Sequence, residues 1–395
     1  MTPFRHAIAA VILAIATTTG CDTTTASKSG GSDKSDLPQA SGSSTTLHRP
    51  LAPATANPSP IEALHQRTYA IELEGAIAHA GTTAGVVSWD FSNRTNPRRK
   101  AVLVLRDSVN HITKIPPSSQ QPSSLLAVST GPSGIAIVDA SQVNEGTLTL
   151  RSTHPSSPEF RKQCHAAWRF VAVSASTGYL ACGGSGVVRV NIALQTNAAV
   201  QDSPPNQAVV TIDRHAAIPG YVRDIAALDS NRVIAAAGKK GLALIDFRNP
   251  QARVVDHLEL DGDVRGVDIS GNRAYVAVGE AGFAIVDISG QSMKIVGKLL
   301  PKTTDMARSV AVHGSNALLC LGDSGLSIID LANENQPAEI GRHHTKGTVN
   351  RVTINKAAGG ENTLFLANDS DGVAIVDISN PQQPKRVYPA PADPN

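Results

Sequence analysis

Aromatic residues are scarce in this chain: 7 Phe, 5 Tyr and 2 Trp among 395 residues. A core of any size must therefore rest on Val, Ile, Leu and Ala. An excess of one charge is missing too, because 35 basic and 33 acidic side chains leave a formal charge of +2. That balance excludes a polyelectrolyte and offers no global field for nucleic acid, so no nucleic-acid partner is expected. The four cysteines form no Cys-x-x-Cys pair, and no His-Glu-x-x-His, phosphate loop or dinucleotide fingerprint occurs. Zinc and nucleotide enzymes are poor fits, and neither a cofactor nor a metal is expected. No apolar run reaches the ~20 residues that cross a bilayer. What the chain does have is 32 Gly and 24 Pro, a composition suited to a turn-rich β protein.

The first residues carry Arg5 and His6, then an apolar stretch from Ala7 to Ala16 and small residues leading to Cys21. This order reads as a signal peptide over residues 1–20. Thr18-Thr19-Gly20-Cys21 resembles the bacterial lipoprotein cleavage box. The resemblance implies that Cys21 becomes the lipid-bearing N-terminus, with the membrane as a partner through that anchor. Residues 21–60 are rich in Ser, Thr, Gly and Pro and too poor in apolar side chains to bury a core, so they read as a disordered tether. Treated as a flexible coil, such a segment reaches about 35 Å.

From residue 61 to 390 one phrase recurs, in the copies Gly85-Val-Val-Ser-Trp-Asp90, Gly134-Ile-Ala-Ile-Val-Asp139, Gly186-Val-Val-Arg-Val-Asn191, Gly241-Leu-Ala-Leu-Ile-Asp246, Gly282-Phe-Ala-Ile-Val-Asp287, Gly325-Leu-Ser-Ile-Ile-Asp330 and Gly372-Val-Ala-Ile-Val-Asp377. Each run is too short for a helix and rich in β-branched residues, so it reads as a buried strand. With an apolar segment upstream of each and a polar turn and further strand downstream, the unit is four antiparallel strands. Seven such units predict an all-β fold, a β-propeller of seven four-stranded blades, followed by a tail at 391–395. Loops at 116–124, 151–167 and 195–206 enlarge the early blades. The phrases resemble the LVIVD repeat family, whose members include bacterial surface and lipid-anchored propellers with no general enzymatic activity. The resemblance implies a location in the bacterial cell envelope.

One residue at the start of the innermost strand of each unit is also patterned: Arg67, Asn110, Arg169, Arg223, Arg265, Arg308 and Asn350. These are expected to ring one mouth of the central channel, on the side of the Gly turns, as a candidate anion-binding set. The alternative is that each Arg pairs with a nearby acid such as Asp224, Asp263 or Asp305 and ties blades together. Cys164 and Cys182 are placed at the same end of one hairpin and are a disulfide candidate, leaving Cys320 buried and free.

Other motifs read as structural. Gly322-Asp-Ser-Gly325 looks like a serine nucleophile loop, but the same slot elsewhere holds Gly238-Lys-Lys-Gly241 and Gly279-Glu-Ala-Gly282, so the glycines serve a turn. The strand-ending Asp residues suit turns that bond their own backbone. Asn368-Asp-Ser-Asp-Gly372 has some likeness to a calcium loop but lacks the completing glutamate. The expected function is a non-enzymatic, lipid-anchored envelope propeller that presents a binding surface to a protein or a polyanionic envelope polymer. The alternative is a hydrolase or lyase working at the channel mouth, and no catalytic residue is singled out.

Overall fold

The computed structural model describes residues 67–119, 124–152, 158–195, 207–290, 292–357 and 359–389. The signal peptide, Cys21, the tether and the C-terminal tail lie outside them. The described residues form seven four-stranded antiparallel sheets, each made of four strands consecutive in sequence. They span residues 68–104, 111–150, 170–216, 224–258, 266–299, 309–343 and 351–388 and are numbered here as blades 1 to 7. The first strands touch one another in a closed circle, blade 1 to blade 7 and back to blade 1, so they line the central axis. Among the described residues no helix is long and apolar enough to cross a membrane.

The near-continuous apolar runs follow from this arrangement. A blade has a neighbour on each face, so alternation of polar and apolar residues is not needed and Phe283, Ala284, Ile285 and Val286 are all buried. The core is accordingly split into seven clusters, each lying between two adjacent blades, such as Val276 and Val286 against Ala236 and Leu242. Blade 1 meets blade 7 through the same kind of packing, with Phe91 edge-on to Phe365 at 5.2 Å and to Tyr388 at 6.1 Å. Arg94 adds a hydrogen bond to Thr363 Oγ1 at 2.8 Å. The ring thus closes without a blade shared between the two ends of the chain.

The repeated Asp stops the third strand. Asp90, Asp139, Asp246, Asp287, Asp330 and Asp377 each accept the backbone N–H two residues on, at 2.7–2.9 Å. Blade 3 carries Asn191 instead, and there the strand continues as Val187–Gln195, paired with the ten-residue strand Gln207–Ala216. This long hairpin reaches blade 2, whose fourth strand has only Thr149–Leu150, and Ala208 N–H donates to Arg151 C=O at 2.6 Å. Part of the stretch read from sequence as a loop at 151–167 is a short helix, Pro158–Gln163, whose Phe160 is buried between blades 2 and 3. The disulfide between Cys164 and Cys182 ties the end of that helix to the blade.

The second glycine of the turn is demanded by packing in blades 1, 3, 4, 5 and 6. At Gly241 an added Cβ would sit 2.1 Å from Leu258 C=O of the fourth strand, and Gly186 and Gly325 face the same carbonyl collision at 2.2 and 2.1 Å.

Candidate functional site

The turn between the second and third strands of one blade bridges to the chain just before the first strand of the next, at Gly131 with Ala167, Gly183 with Val222, Gly238 with Val264, Gly279 with Ala307 and Gly322 with Val349. Asp369 with Thr68 closes the circle, and Val109 N–H donates to Thr82 C=O at 2.9 Å between blades 1 and 2. Each bridge places the following residue at the rim of the axis. These seven residues are Tyr69, Asn110, Trp168, Arg223, Arg265, Arg308 and Asn350, and all of them line one cavity of about 450 Å³.

Five of the seven positions expected from sequence are therefore here, and two are not. Arg67 lies ahead of the bridge residue, with its side chain 63% exposed and Nε 3.5 Å from Asp369 Oδ1. Tyr69 stands in its place because Asp369 of blade 7 bridges to Thr68, one residue beyond Arg67, and the pairing of the first two strands shifts register between Thr68 and Ala70. Arg169 is one residue too far along, and Trp168 occupies the rim. A signal was present: the rim residues of blades 2, 4, 5, 6 and 7 each follow directly on Val or Ala, and Trp168 follows Ala167.

Arg169 instead enters the channel, where its Nη1 lies 2.5 Å from Asp224 Oδ1. Arg351 from blade 7 approaches the other oxygen of Asp224 at 3.7 Å. Asp224 is fully buried and also accepts the N–H groups of Ile225 at 3.0 Å and Val267 at 3.3 Å. Burial pushes the Arg351 guanidinium down against the pull of Asp224, whereas at Arg169 the pull of Asp224 outweighs burial and its value is raised. Arg351 lines both the rim cavity and a second cavity of about 540 Å³ at the other end of the first strands, so this cluster divides the channel.

At the rim the ion pairs are incomplete. Arg223 Nη1 is 3.3 Å from Asp263 Oδ1 and Arg265 Nε is 2.8 Å from Asp263 Oδ2, so two guanidiniums share one carboxylate. Among the described residues Arg308 has no ion-pair partner; its Nη1 donates to Asn350 Oδ1 at 3.3 Å. Asn350 Nδ2 donates to Thr68 C=O at 3.4 Å, and Asn110 Nδ2 to Ala167 C=O at 3.0 Å. Asp305, the acid nearest Arg308 in sequence, accepts Ser324 Oγ at 2.5 Å. Arg223 lies against the Tyr221 ring at 4.8 Å and the Trp168 ring at 6.0 Å, and Trp168 Nε1 donates to Tyr221 Oη at 3.0 Å.

The remaining candidates have structural surroundings. Ser324 is bonded to Asp305 and to Thr303 Oγ1, as a turn residue. Ser88, His79 and Glu74 form a line with the composition of a hydrolytic triad, at 2.8 Å and 3.7 Å, but Ser88 and His79 are fully buried in blade 1 and open to no substrate. The Asn368–Gly372 segment folds as the same hairpin as the other turns, with Asp369 at φ 44° where blades 2 to 6 have glycine. Among the described residues no group of three His, Cys, Asp or Glu side chains is placed to hold a metal ion. Cys320 is buried, which pushes its thiol up to about 11.

The LVIVD repeat model matches residues 261–297, 305–345 and 360–387, which fall in blades 5, 6 and 7. A solved structure, that of the computationally designed Ika8 protein, superposes with a TM-score of 0.54 at 10% identity, over 82% of this chain and 86% of that one. That likeness concerns the fold alone. No curated protein sequence matches the chain. The chain carries LVIVD repeats and folds as a seven-bladed β-propeller, an architecture suited to a binding or scaffold role.

Proposed function

We propose that this chain is a non-enzymatic, lipid-anchored protein of the bacterial cell envelope whose propeller binds an anionic partner, a protein or an envelope polymer, at the arginine-lined mouth. The observation that carries this reading is charge balance. Arg169 and Arg351 share Asp224, Arg223 and Arg265 share Asp263, and Arg308 has no ion-pair partner among the described residues. In a recess flanked by low-dielectric walls that surplus attracts anions more strongly than the same charges on an open surface. Arginine further suits carboxylate or phosphate because its planar fork donates two parallel hydrogen bonds. For the hydrolase or lyase reading, the groups at the rim are guanidinium, amide, phenol, indole and the Ser108 hydroxyl, and the one carboxylate described beside them, Asp263, is held by Arg223 and Arg265.

The anchor rests on the order of Arg5, the apolar stretch and Cys21. Two experiments test the two halves. Arg265→Gln with Arg308→Gln should weaken binding of polyglutamate at least tenfold while thermal unfolding changes little. Unchanged binding would remove the anionic partner from the proposal. Cys21→Ser should shift the protein from the membrane to the soluble fraction, and continued membrane attachment would remove the lipid anchor.

A further inference from the structure

The rim is chemically two-sided. Going round the axis, blades 4, 5 and 6 contribute Arg223, Arg265 and Arg308, whereas blades 1 and 3 contribute Tyr69 and Trp168, and the amides Asn350 and Asn110 stand at blades 7 and 2. A simple anion would use the arginine arc and make no contact with the aromatic and amide groups. A ligand that meets the whole rim has a negative group at one edge, hydroxyls along its sides and a flat apolar face at the other edge.

We infer that the mouth is a binding site for an acidic saccharide, in which the carboxylate of a uronic acid residue lies on Arg308 and Arg265 and the C–H face of a pyranose ring stacks on Trp168. Each contact follows from ordinary chemistry. The pyranose C–H face is apolar and gains by leaving water against an indole ring. The carboxylate takes the guanidinium fork, and Arg308, lacking any acid partner among the described residues, has donors to offer. The Asn110 and Asn350 side chains can both donate to and accept from hydroxyls. Trp168 is held in advance by Tyr221 Oη at 3.0 Å and by Arg223 against its ring, so little side-chain freedom is lost on binding. A volume of about 450 Å³ is that of a cleft for a small ligand and admits one or two sugar units rather than a broad polymer surface.

This inference rests on the anion-binding reading of the mouth, and the experiment separates the two. Titration calorimetry on the full-length chain in detergent would compare a galacturonic acid trisaccharide, the neutral galactose trisaccharide and tripolyphosphate. The galacturonate is expected to bind at least tenfold more tightly than the neutral sugar. Trp168→Ala and Arg308→Gln should each weaken it about tenfold, Trp168→Phe should retain most of the affinity, and tripolyphosphate should respond to Arg308→Gln but not to Trp168→Ala. Retained tripolyphosphate binding by Trp168→Ala also shows that the variant is folded. Equal binding of the neutral and acidic sugars, or galacturonate binding indifferent to Trp168, overturns the inference. So does Arg308-dependent binding of tripolyphosphate without binding of galacturonate, which leaves the anion-binding reading standing. Failure of both anions to bind removes that reading as well.

Discussion

Arg169 and Asp224 form a buried ion pair between blades 3 and 4, 2.5 Å from Nη1 to Oδ1, and the same carboxylate faces Arg351 of blade 7 at 3.7 Å. One acid thus joins three blades around the axis. Removing its charge would leave two buried guanidiniums with only the weaker pull of Asp268 on both and of Glu72 on Arg169, which costs more than the pair itself contributes. Asp224→Asn is expected to lower unfolding stability by about 3–5 kcal/mol. Urea unfolding provides the measurement, and a loss below about 1 kcal/mol would show that the cluster is solvated and not a structural tie.

Glu72 and Glu74 lie two residues apart on the first strand of blade 1 and titrate in opposite directions. Burial pushes Glu72 up to about 7, against the Lys114 N–H and the charges of Lys356 and Lys114. Burial opposes ionisation of Glu74 as well, but the nearby His79 ring and hydrogen bonds from Lys114 and Ser124 prevail and hold it at about 2. The Glu72 contribution is therefore fully present below its ordinary value of 4.5 and is lost as pH rises toward 7. The Glu74 contribution is present above 4.5 and is lost as pH falls toward 2. Glu72→Gln should stabilise the protein at pH 8 by about 1–2 kcal/mol and leave it nearly unchanged at pH 4. Glu74→Gln should destabilise it at pH 7, with the gap closing toward pH 2. Denaturant midpoints across pH check both, and a Glu72→Gln effect independent of pH would contradict the assignment.

The two glycines of one turn differ in what they tolerate. Gly238 and Gly241 have φ of 64° and 80°, but only Gly241 faces a backbone carbonyl within 2.1 Å of an added Cβ. Gly238→Ala should cost about 1–2 kcal/mol for backbone strain. Gly241→Ala should cost at least twice as much, because Leu258 must move too. Thermal unfolding of the two single variants gives the order, and equal losses would mean that strain alone matters.

Cys164 and Cys182 are bonded across a sequence separation of 18. Replacing both with Ala should cost on the order of 3 kcal/mol, with hydrogen exchange rising in Pro158–Gln163 before it rises in the strands. Thiol titration of the unfolded, unreduced protein starting at residue 61 should find Cys320 alone. Three reactive thiols would rule the bridge out.

The strand content, the blade period and the stopping role of Asp are local properties, so they were legible along the chain: short β-branched runs, a recurring Gly turn and an Asp bonding its own backbone need no distant partner. Blades 5, 6 and 7, where the LVIVD repeat model matches, are also those with the most regular copies. The register of the rim was legible in five blades and not in blades 1 and 3. There Tyr69 and Trp168 reach the mouth because bridges from Asp369 and Gly131 of the neighbouring blades set the alignment. The hairpin at Asn191 shows the same division: loss of Asp predicts a missing stop, but only its packing beside the two-residue strand Thr149–Leu150 explains where the added length goes. Which acid meets which arginine was decided largely in three dimensions, although Arg265 and Asp263 stand only two residues apart. Asp263 meets Arg223 from 40 residues away and Asp224 meets Arg169 from 55, leaving Arg308 without an ion-pair partner among the described residues. A repeat specifies each blade through contacts within it, whereas charge balance at the axis depends on which blades stand side by side, and that is known only once the ring has closed.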